Sequence, residues 1–126
     1  MKTLGEIEAA VSDGITQFKH KYMGRGPKDI HVHLIGDLLV IRILGALTEA
    51  EQLLVKSLQP EKRRDLLKQV RTQLLETARP ILETLIQEIT IVKVVSMHHD
   101  ISTITGEEVI IFTLAAPPEF REVKKR

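Results

Sequence analysis

The first stretch of the chain has apolar residues at every third or fourth position, the spacing of one face of an α-helix. These residues are Leu4, Ile7, Val11, Ile15, Phe18 and Tyr22. Thr3 and Glu6 have the spacing of a capping box at the start of this helix. The run Gly24–Pro27 ends it, because glycine relaxes the backbone and proline has no N–H for the next hydrogen bond. The pattern predicts a helix over 4–23.

From Asp29 onward the apolar period changes to two, which is typical of a strand, and a second such run covers Leu38–Leu44. The pair Gly36-Asp37 between the runs is typical of a two-residue hairpin turn, which fixes the register of the strands. The register sets three apolar pairs on the core face: Leu34 with Leu39, Val32 with Ile41, and Ile30 with Ile43. On the other face it sets His33 beside Val40 and His31 beside Arg42.

The middle of the chain returns to helical spacing. Thr48 and Glu51 repeat the capping-box spacing and predict a short helix over 48–58. Pro60 then opens a long helix over 61–89, about 40 Å at 1.5 Å per residue, and Pro80 inside it predicts a kink. A kinked long helix and two stacked short helices both satisfy the pattern. Its apolar positions form two adjacent stripes: Leu66, Val70, Leu74, Ile81, Leu85 and Ile89 in one, and Leu67, Leu75, Leu82 and Ile86 beside it.

The last apolar segments, Ile91–Ile101 and Val109–Leu114, predict a second hairpin. An even-length turn places Val95, Met97 and Ile101 on one face with the alternate apolar residues of the second strand. The predicted order is α-β-β-α-α-β-β, an α+β fold with a four-stranded, mainly antiparallel sheet and helices packed on one face. We expect one domain over 1–116 and a charged C-terminal tail over 117–126.

Composition narrows the class of protein. The chain has 126 residues, 18 Lys+Arg against 17 Asp+Glu, no Cys and only 3% aromatic residues. The near balance of charge argues against a polycationic nucleic-acid binder, and the lack of Cys excludes thiolate chemistry and disulfides. The absence of Cys and Asn is typical of heat-exposed proteins. No apolar run approaches the 20 or so residues of a membrane span, and the start does not resemble a secretory signal, which predicts a cytoplasmic protein.

Four histidines are candidate metal ligands: His31, His33, His98 and His99. Alternate residues of a strand point to the same side, so His31 and His33 have the spacing of a ligand pair. Arg42, expected opposite His31, would repel a divalent cation, so we predict no cofactor and keep a small metal-dependent or anion-handling enzyme as an alternative function. We assign no catalytic residues.

A basic segment lies at the end of the first predicted helix. It contains Lys19, Lys21, Arg25 and Lys28 and no acidic residue until Asp29. With the glycines between them, these cations could bind phosphate, carboxylate, bicarbonate, an anionic lipid surface or a protein partner. Cations near the end of a helix also simply complement its dipole, so both interpretations stay open. A nucleic-acid-binding module is a further alternative, disfavoured by the few aromatic residues.

Four motifs in this order resemble the MpsC-like family, formerly a domain of unknown function. They are Tyr22-Met23-Gly24-Arg25-Gly26-Pro27-Lys28, Leu44-Gly45-Ala46-Leu47-Thr48-x-Ala50-Glu51, Leu75-x-x-x-Ala78-Arg79-Pro80 and His99-Asp100-Ile101-Ser102-Thr103-x-Thr105-Gly106-Glu107. The family is described as a component of a sodium-translocating, membrane-potential-generating system. The resemblance implies association with integral-membrane ion or inorganic-carbon transport subunits. It assigns no role to the motif positions Gly24, Gly26, Pro27, Arg79, Pro80, Asp100, Ser102 and Gly106.

The resemblance therefore implies a soluble accessory or regulatory subunit of a membrane ion-transport system, peripheral to the inner face of the membrane. We expect it to act through the basic segment by protein or anion binding. The wide apolar surface of the long predicted helix exceeds what a four-stranded sheet can cover, which predicts a homodimer.

Overall fold

The elements of the fold follow the predicted order. A computed structural model describes residues 1–122 except Arg25, Ala46, Thr48 and Leu58. Its elements are α1 (Leu4–Met23), β1 (Asp29–Ile35), β2 (Leu38–Leu44), α2 (Glu49–Ser57), α3 (Pro60–Thr90), β3 (Val94–Ile101) and β4 (Glu108–Leu114). This α+β arrangement is the predicted fold class.

The capping box predicted for α1 is confirmed. The Thr3 hydroxyl accepts a hydrogen bond from the Glu6 N–H at 3.2 Å, and the Glu6 carboxylate accepts one from the Thr3 N–H at 3.1 Å. The hydrogen bond from the Thr3 backbone is the main cause that lowers the pKa of Glu6. The corresponding cap of the second helix, Thr48, and its predicted end, Leu58, lie outside the described residues.

The sheet has the strand order β1-β2-β4-β3, and every neighbouring pair is antiparallel. The first hairpin has the predicted register, with Leu34 opposite Leu39, Val32 opposite Ile41, and His31 opposite Arg42. Pairing of β2 with β4 joins the two hairpins, so the second hairpin adds its later strand to the middle of the sheet.

The prediction for Val95 is wrong. The pairing of β3 with β4 shifts between Val94 and Ser96, so Val94 lies opposite Leu114 while Val95 is 61% exposed. Such a bulge adds one residue to one strand and reverses the side to which the next side chain points. β3 also begins later than predicted, because Ile91 ends α3 in the left-handed region at φ 61°, with its N–H bonded to the Gln87 carbonyl.

Between the alternatives of one long helix and two short ones, the structure has one helix, α3, that runs through Pro80. Pro80 cannot donate a backbone hydrogen bond, whereas its carbonyl accepts one from the Thr84 hydroxyl at 2.9 Å. α2 is a separate helix before it.

The core lies between one face of the sheet and the two longer helices. α1 contributes Ile7, Val11, Ile15 and Phe18, α3 contributes Leu75, Leu82 and Ile86, and the sheet contributes Leu34, Leu39, Ile41, Ile43, Met97, Ile110, Phe112 and Leu114. The opposite face of the sheet, which we call the outer face, is accessible: each of its described side chains is half-buried or exposed. The fold is thus a helical layer over an open sheet.

Arg121, which follows the predicted end of the domain at residue 116, contacts the start of the chain. The Arg121 N–H bonds to the Lys2 carbonyl at 2.8 Å, and Pro118 is buried. In the part of the chain that the structure describes, no helix combines the length and the apolar character that a membrane span requires.

Candidate functional site

The basic segment does not lie on one surface. Lys21 and Lys28 are exposed, whereas Lys19 is only 3% exposed and points into the protein. Residues two apart on a helix lie about 200° apart around its axis, which separates Lys19 from Lys21. Lys19 therefore does not share an exposed surface with Lys21 and Lys28, and Arg25 lies outside the described residues.

The glycines of this segment have local structural reasons. Gly24 ends α1 in the left-handed region at φ 74°, a conformation that glycine adopts without steric cost. A Cβ at position 26 would clash with the His20 ring unless that ring moved. Pro27 is half-buried directly after this close approach. The positive φ accounts for Gly24, and the nearby His20 ring leaves little space for a side chain at position 26.

Lys19 belongs to a buried cluster of charges, which we call the ionic cluster: Lys19, Glu51, Arg71 and Glu108. The Lys19 ammonium contacts one Glu108 oxygen, and the Arg71 guanidinium lies 3.3 Å from the other. Arg71 also binds Glu51 through two N–H···O bonds of 2.9 Å each. Among the described side chains, these two cations and two carboxylates contact one another, and they join α1, α2, α3 and β4.

Burial dominates the electrostatics of Lys19. Removal from water lowers the pKa of its ammonium, while the charge and hydrogen bond of Glu108 act in the opposite direction. Arg71 and Glu108 are also almost wholly buried, at 2% and 1% exposure. The bidentate contact between Arg71 and Glu51 has a fixed geometry, so it orients α2 relative to α3, and the single contact of Arg71 with Glu108 connects α3 to β4.

The sequence prediction missed this cluster although signals for it exist. Arg71 lies four residues from both Leu67 and Leu75, so it belongs to the stripe that turns out to be buried. Glu108 lies two residues before Ile110 and four before Phe112 on β4, so the alternation of side chains along the strand places it on the core face with them. A basic and an acidic residue at two core positions are the recognisable sign of a buried ion pair.

An apolar cleft of about 340 Å³ lies beside the ionic cluster, between the end of α1 and the middle of α3. Its apolar walls are Phe18, Tyr22, Met23, Leu74, Leu75, Ala78 and Ile81, and Lys19 and Arg71 also line it. Both cations already contact carboxylates, so the cleft is mainly a depression in an apolar surface.

The two apolar stripes of α3 have different surroundings. Leu67, Leu75, Leu82 and Ile86 are buried in the core. Leu66, Val70, Leu74 and Ile81, which we call the exposed stripe, are between 37% and 45% exposed. Leu74 and Ile81 also line the cleft, so the stripe and the cleft form one continuous apolar surface.

The four candidate metal ligands do not come together. His31 and His33 lie on the outer face of β1, and His31 contacts Asp29 at 3.0 Å. His98 is on the outer face of β3, at the far edge of the sheet, whereas His99 points inward, 3.8 Å from Glu76. No group of three potential ligands forms a metal-binding arrangement among the residues that the structure describes.

The remaining motif positions make local contacts. Arg79 forms ion pairs with Glu83 at 2.7 Å and with Glu76 at 3.8 Å on α3 itself. Asp100 pairs with Lys68 at 3.0 Å, and the hydrogen bond from Lys68 is the main cause that lowers the pKa of the Asp100 carboxyl.

Ser102 and Gly106 shape the turn between β3 and β4. The Ser102 hydroxyl accepts hydrogen bonds from the N–H groups of Ile104 and Thr105, and the Ser102 carbonyl accepts one from Gly106. Gly106 has φ 76°, in the left-handed region. This turn precedes β4, which begins at Glu108, a member of the ionic cluster.

Comparison with known proteins identifies the family to which the chain is related. A family model described as "Na+-translocating membrane potential-generating system (MpsC)" matches residues 3–116. The chain is 35% identical over 113 residues to the uncharacterized protein YbcI of Bacillus subtilis (strain 168), covering 90% of this chain and 89% of that protein. No solved structure matches the chain significantly. The family match spans all seven elements of the fold, and the chain belongs to the MpsC family.

Proposed function

We propose that this chain is a non-catalytic accessory or regulatory subunit of a sodium-translocating membrane system, which it contacts from the cytoplasmic side. The family description, which covers residues 3–116, supports the connection with such a system. The subunit acts by binding to integral-membrane transport subunits, and the transported species is Na⁺ or inorganic carbon.

The open outer face of the sheet carries this proposal. Its central row runs across all four strands through His33, Val40, Ile111 and His98. Val40 and Ile111 are half-buried apolar side chains, and the two histidines lie at the rims. An apolar centre with a polar rim is the composition of a protein contact surface.

Lys21 and Lys28 supply the electrostatic part of the contact. Both side chains are exposed, and they flank the tight chain path that Gly24 and Gly26 permit. Exposed cations of this kind increase the rate of association with an acidic partner more than they increase the affinity of the complex. We therefore assign them to the first encounter with an acidic segment of a transport subunit.

Capture from native membranes tests the proposal. Tagged protein is expressed in cells that carry its own transport system, and membranes are solubilised in mild detergent before mass spectrometry of the captured proteins. We expect integral-membrane ion-transport subunits to be enriched. Capture of soluble proteins alone would contradict the proposal.

Matched variants test the exposed lysines and the outer face of the sheet separately. Lys21→Glu with Lys28→Glu should reduce capture most at low salt, whereas Lys56→Glu with Lys93→Glu, an equal charge change at other exposed positions, should not. Val40→Thr with Ile111→Thr should reduce capture at every salt concentration. Val95→Thr, which removes an exposed apolar group from the edge strand β3, serves as its control.

A further inference from the structure

The exposed stripe of α3 and the cleft beside it have the form of a helix–helix contact. Leu74, Thr77, Ala78 and Ile81 all line the cleft and occupy positions i, i+3, i+4 and i+7 of one helix. Four residues at this spacing make the hole that receives a side chain from a facing helix. Ala78 keeps the hole open because its side chain is a single methyl group.

The stripe also provides side chains of the size that such a hole accepts. Leu66, Val70, Leu74 and Ile81 follow one another at intervals of four, four and seven residues, over about 22 Å of helix at 1.5 Å per residue. A two-fold axis near Leu74 would place Val70 of a second copy opposite the hole, and the same contact would repeat on the other side. The exposed stripe and the cleft together thus contain both the protruding side chain and the hole that receives it, as a contact between two identical surfaces requires.

The distribution of charge along α3 favours one orientation when the α3 helices of two copies pack together. Residues 61–68 contain four cations and two acids, whereas residues 76–88 contain three acids and one cation. In an antiparallel pair, the basic end of each helix faces the acidic end of the other. In a parallel pair, like ends would face each other and repel.

We propose that a second copy of this chain covers the exposed stripe, through antiparallel packing of α3 on α3 about a two-fold axis near Leu74. Val70 of each copy fills the hole formed by Leu74, Thr77, Ala78 and Ile81 of the other. The proposal is independent of the membrane function, because the outer face of the sheet lies on the other layer of the fold and stays free for a different partner.

The molar mass of the purified full chain tests the dimer. Light scattering should give twice the chain mass at about 100 µM, a concentration that populates dimers of even micromolar affinity. Val70→Glu should raise the dissociation constant at least about tenfold, because a carboxylate would be buried without a partner. The matched control Val95→Glu puts the same charge on an exposed valine of β3 and should leave the dimer intact.

Cross-linking tests the orientation, and the absence of Cys from the chain makes single-cysteine variants unambiguous. With a short bis-maleimide, Leu74→Cys should link to itself, whereas Leu66→Cys and Ile81→Cys should link only when the two variants are mixed. Circular dichroism and thermal melts confirm that each variant is folded. A monomeric wild type, a Val70→Glu dimer as tight as wild type, or efficient self-linking of both Leu66→Cys and Ile81→Cys would overturn the proposal.

Discussion

The Lys19 ammonium on α1 and the Glu108 carboxylate on β4 form an ion pair in the protein interior, with exposures of only 3% and 1%. Glu108 is shared with Arg71 of α3, which in turn holds Glu51 of α2. A pair of this kind adds less stability than an apolar substitute could, but removing one member leaves a buried charge behind. Its structural effect is to connect three helices to the centre of the sheet.

Removal of the Glu108 charge should therefore be costly. We expect Glu108→Gln to lower the free energy of unfolding by about 3–5 kcal/mol, because the buried Lys19 ammonium and Arg71 guanidinium both lose the Glu108 carboxylate. Glu107→Gln is the matched control, since the neighbouring Glu107 pairs with Arg42 at the surface and should cost less than about 1 kcal/mol. Urea denaturation measures both, and similar losses for the two variants would argue against the ionic cluster.

The free energy of unfolding should depend on pH through the titration of Lys19. Burial lowers the pKa of its ammonium in the folded state, so the folded protein releases this proton at lower pH than the unfolded chain does. In the window between the two pKa values, the free energy of unfolding contributed by Lys19 rises with pH. We expect wild type to gain stability relative to Lys19→Met as pH rises toward about 10.4, the ordinary value for lysine.

Denaturation of wild type and Lys19→Met over this alkaline range measures the difference. Lys21→Met controls for the loss of an exposed lysine and should show no comparable trend. If wild type instead loses stability relative to Lys19→Met as pH rises, the Lys19 pKa is raised and the assignment of burial as its main cause is wrong.

Ile91 offers a stabilising substitution. It ends α3 at φ 61°, where a β-branched side chain is strained, and its side chain is 84% exposed. Ile91→Gly should therefore raise the free energy of unfolding by about 1 kcal/mol, since glycine adopts this conformation freely. Ile104→Gly, at a position with 93% exposure, should give no such gain. A destabilised Ile91→Gly protein in thermal melts would contradict the backbone assignment.

Neighbouring residues of α3 should respond differently to the same truncation. Leu82 is wholly buried and Ile81 is 45% exposed. Leu82→Ala should cost about 2–5 kcal/mol in denaturation of dilute protein, because it leaves a cavity in the core, whereas Ile81→Ala should cost under about 1 kcal/mol. At high concentration Ile81→Ala should weaken the dimer, which light scattering detects. Equal costs in dilute protein would mean that both stripes of α3 are buried in the monomer.

The sequence predicts the first hairpin fully because local chemistry determines it. Gly36-Asp37 fixes a two-residue turn, and a strand period of two then sets every pair from Ile35–Leu38 outward. The second hairpin has a longer turn and a bulge between Val94 and Ser96, which no strand pattern specifies, so strand alternation predicts the wrong face for Val95. The bounds of α1 are predicted to the residue because a capping box and a glycine mark its two ends.

The site is harder to predict than the fold because its positions depend on tertiary contacts. Lys19 reads as part of a basic segment in the sequence, and only the packing of α1 against Glu108 reveals its burial. The two stripes of α3 are offset by one residue, so periodicity alone cannot decide whether Leu74 or Leu75 faces the core. Arg71 also lies on the buried stripe, and its carboxylate partners come from other elements of the fold, which the pattern of α3 alone does not indicate.

The central claim, a role in a sodium-translocating membrane system, is tested most directly by the sodium-dependent membrane potential of cells that lack this chain. A potential-sensitive dye reports the change in potential when Na⁺ is added to energised cells, with a K⁺ and valinomycin calibration in each strain. We predict a reduced Na⁺-dependent potential, restored by wild-type protein but not by Lys21→Glu with Lys28→Glu at equal protein abundance. An unchanged Na⁺-dependent potential in cells without the chain would contradict the account.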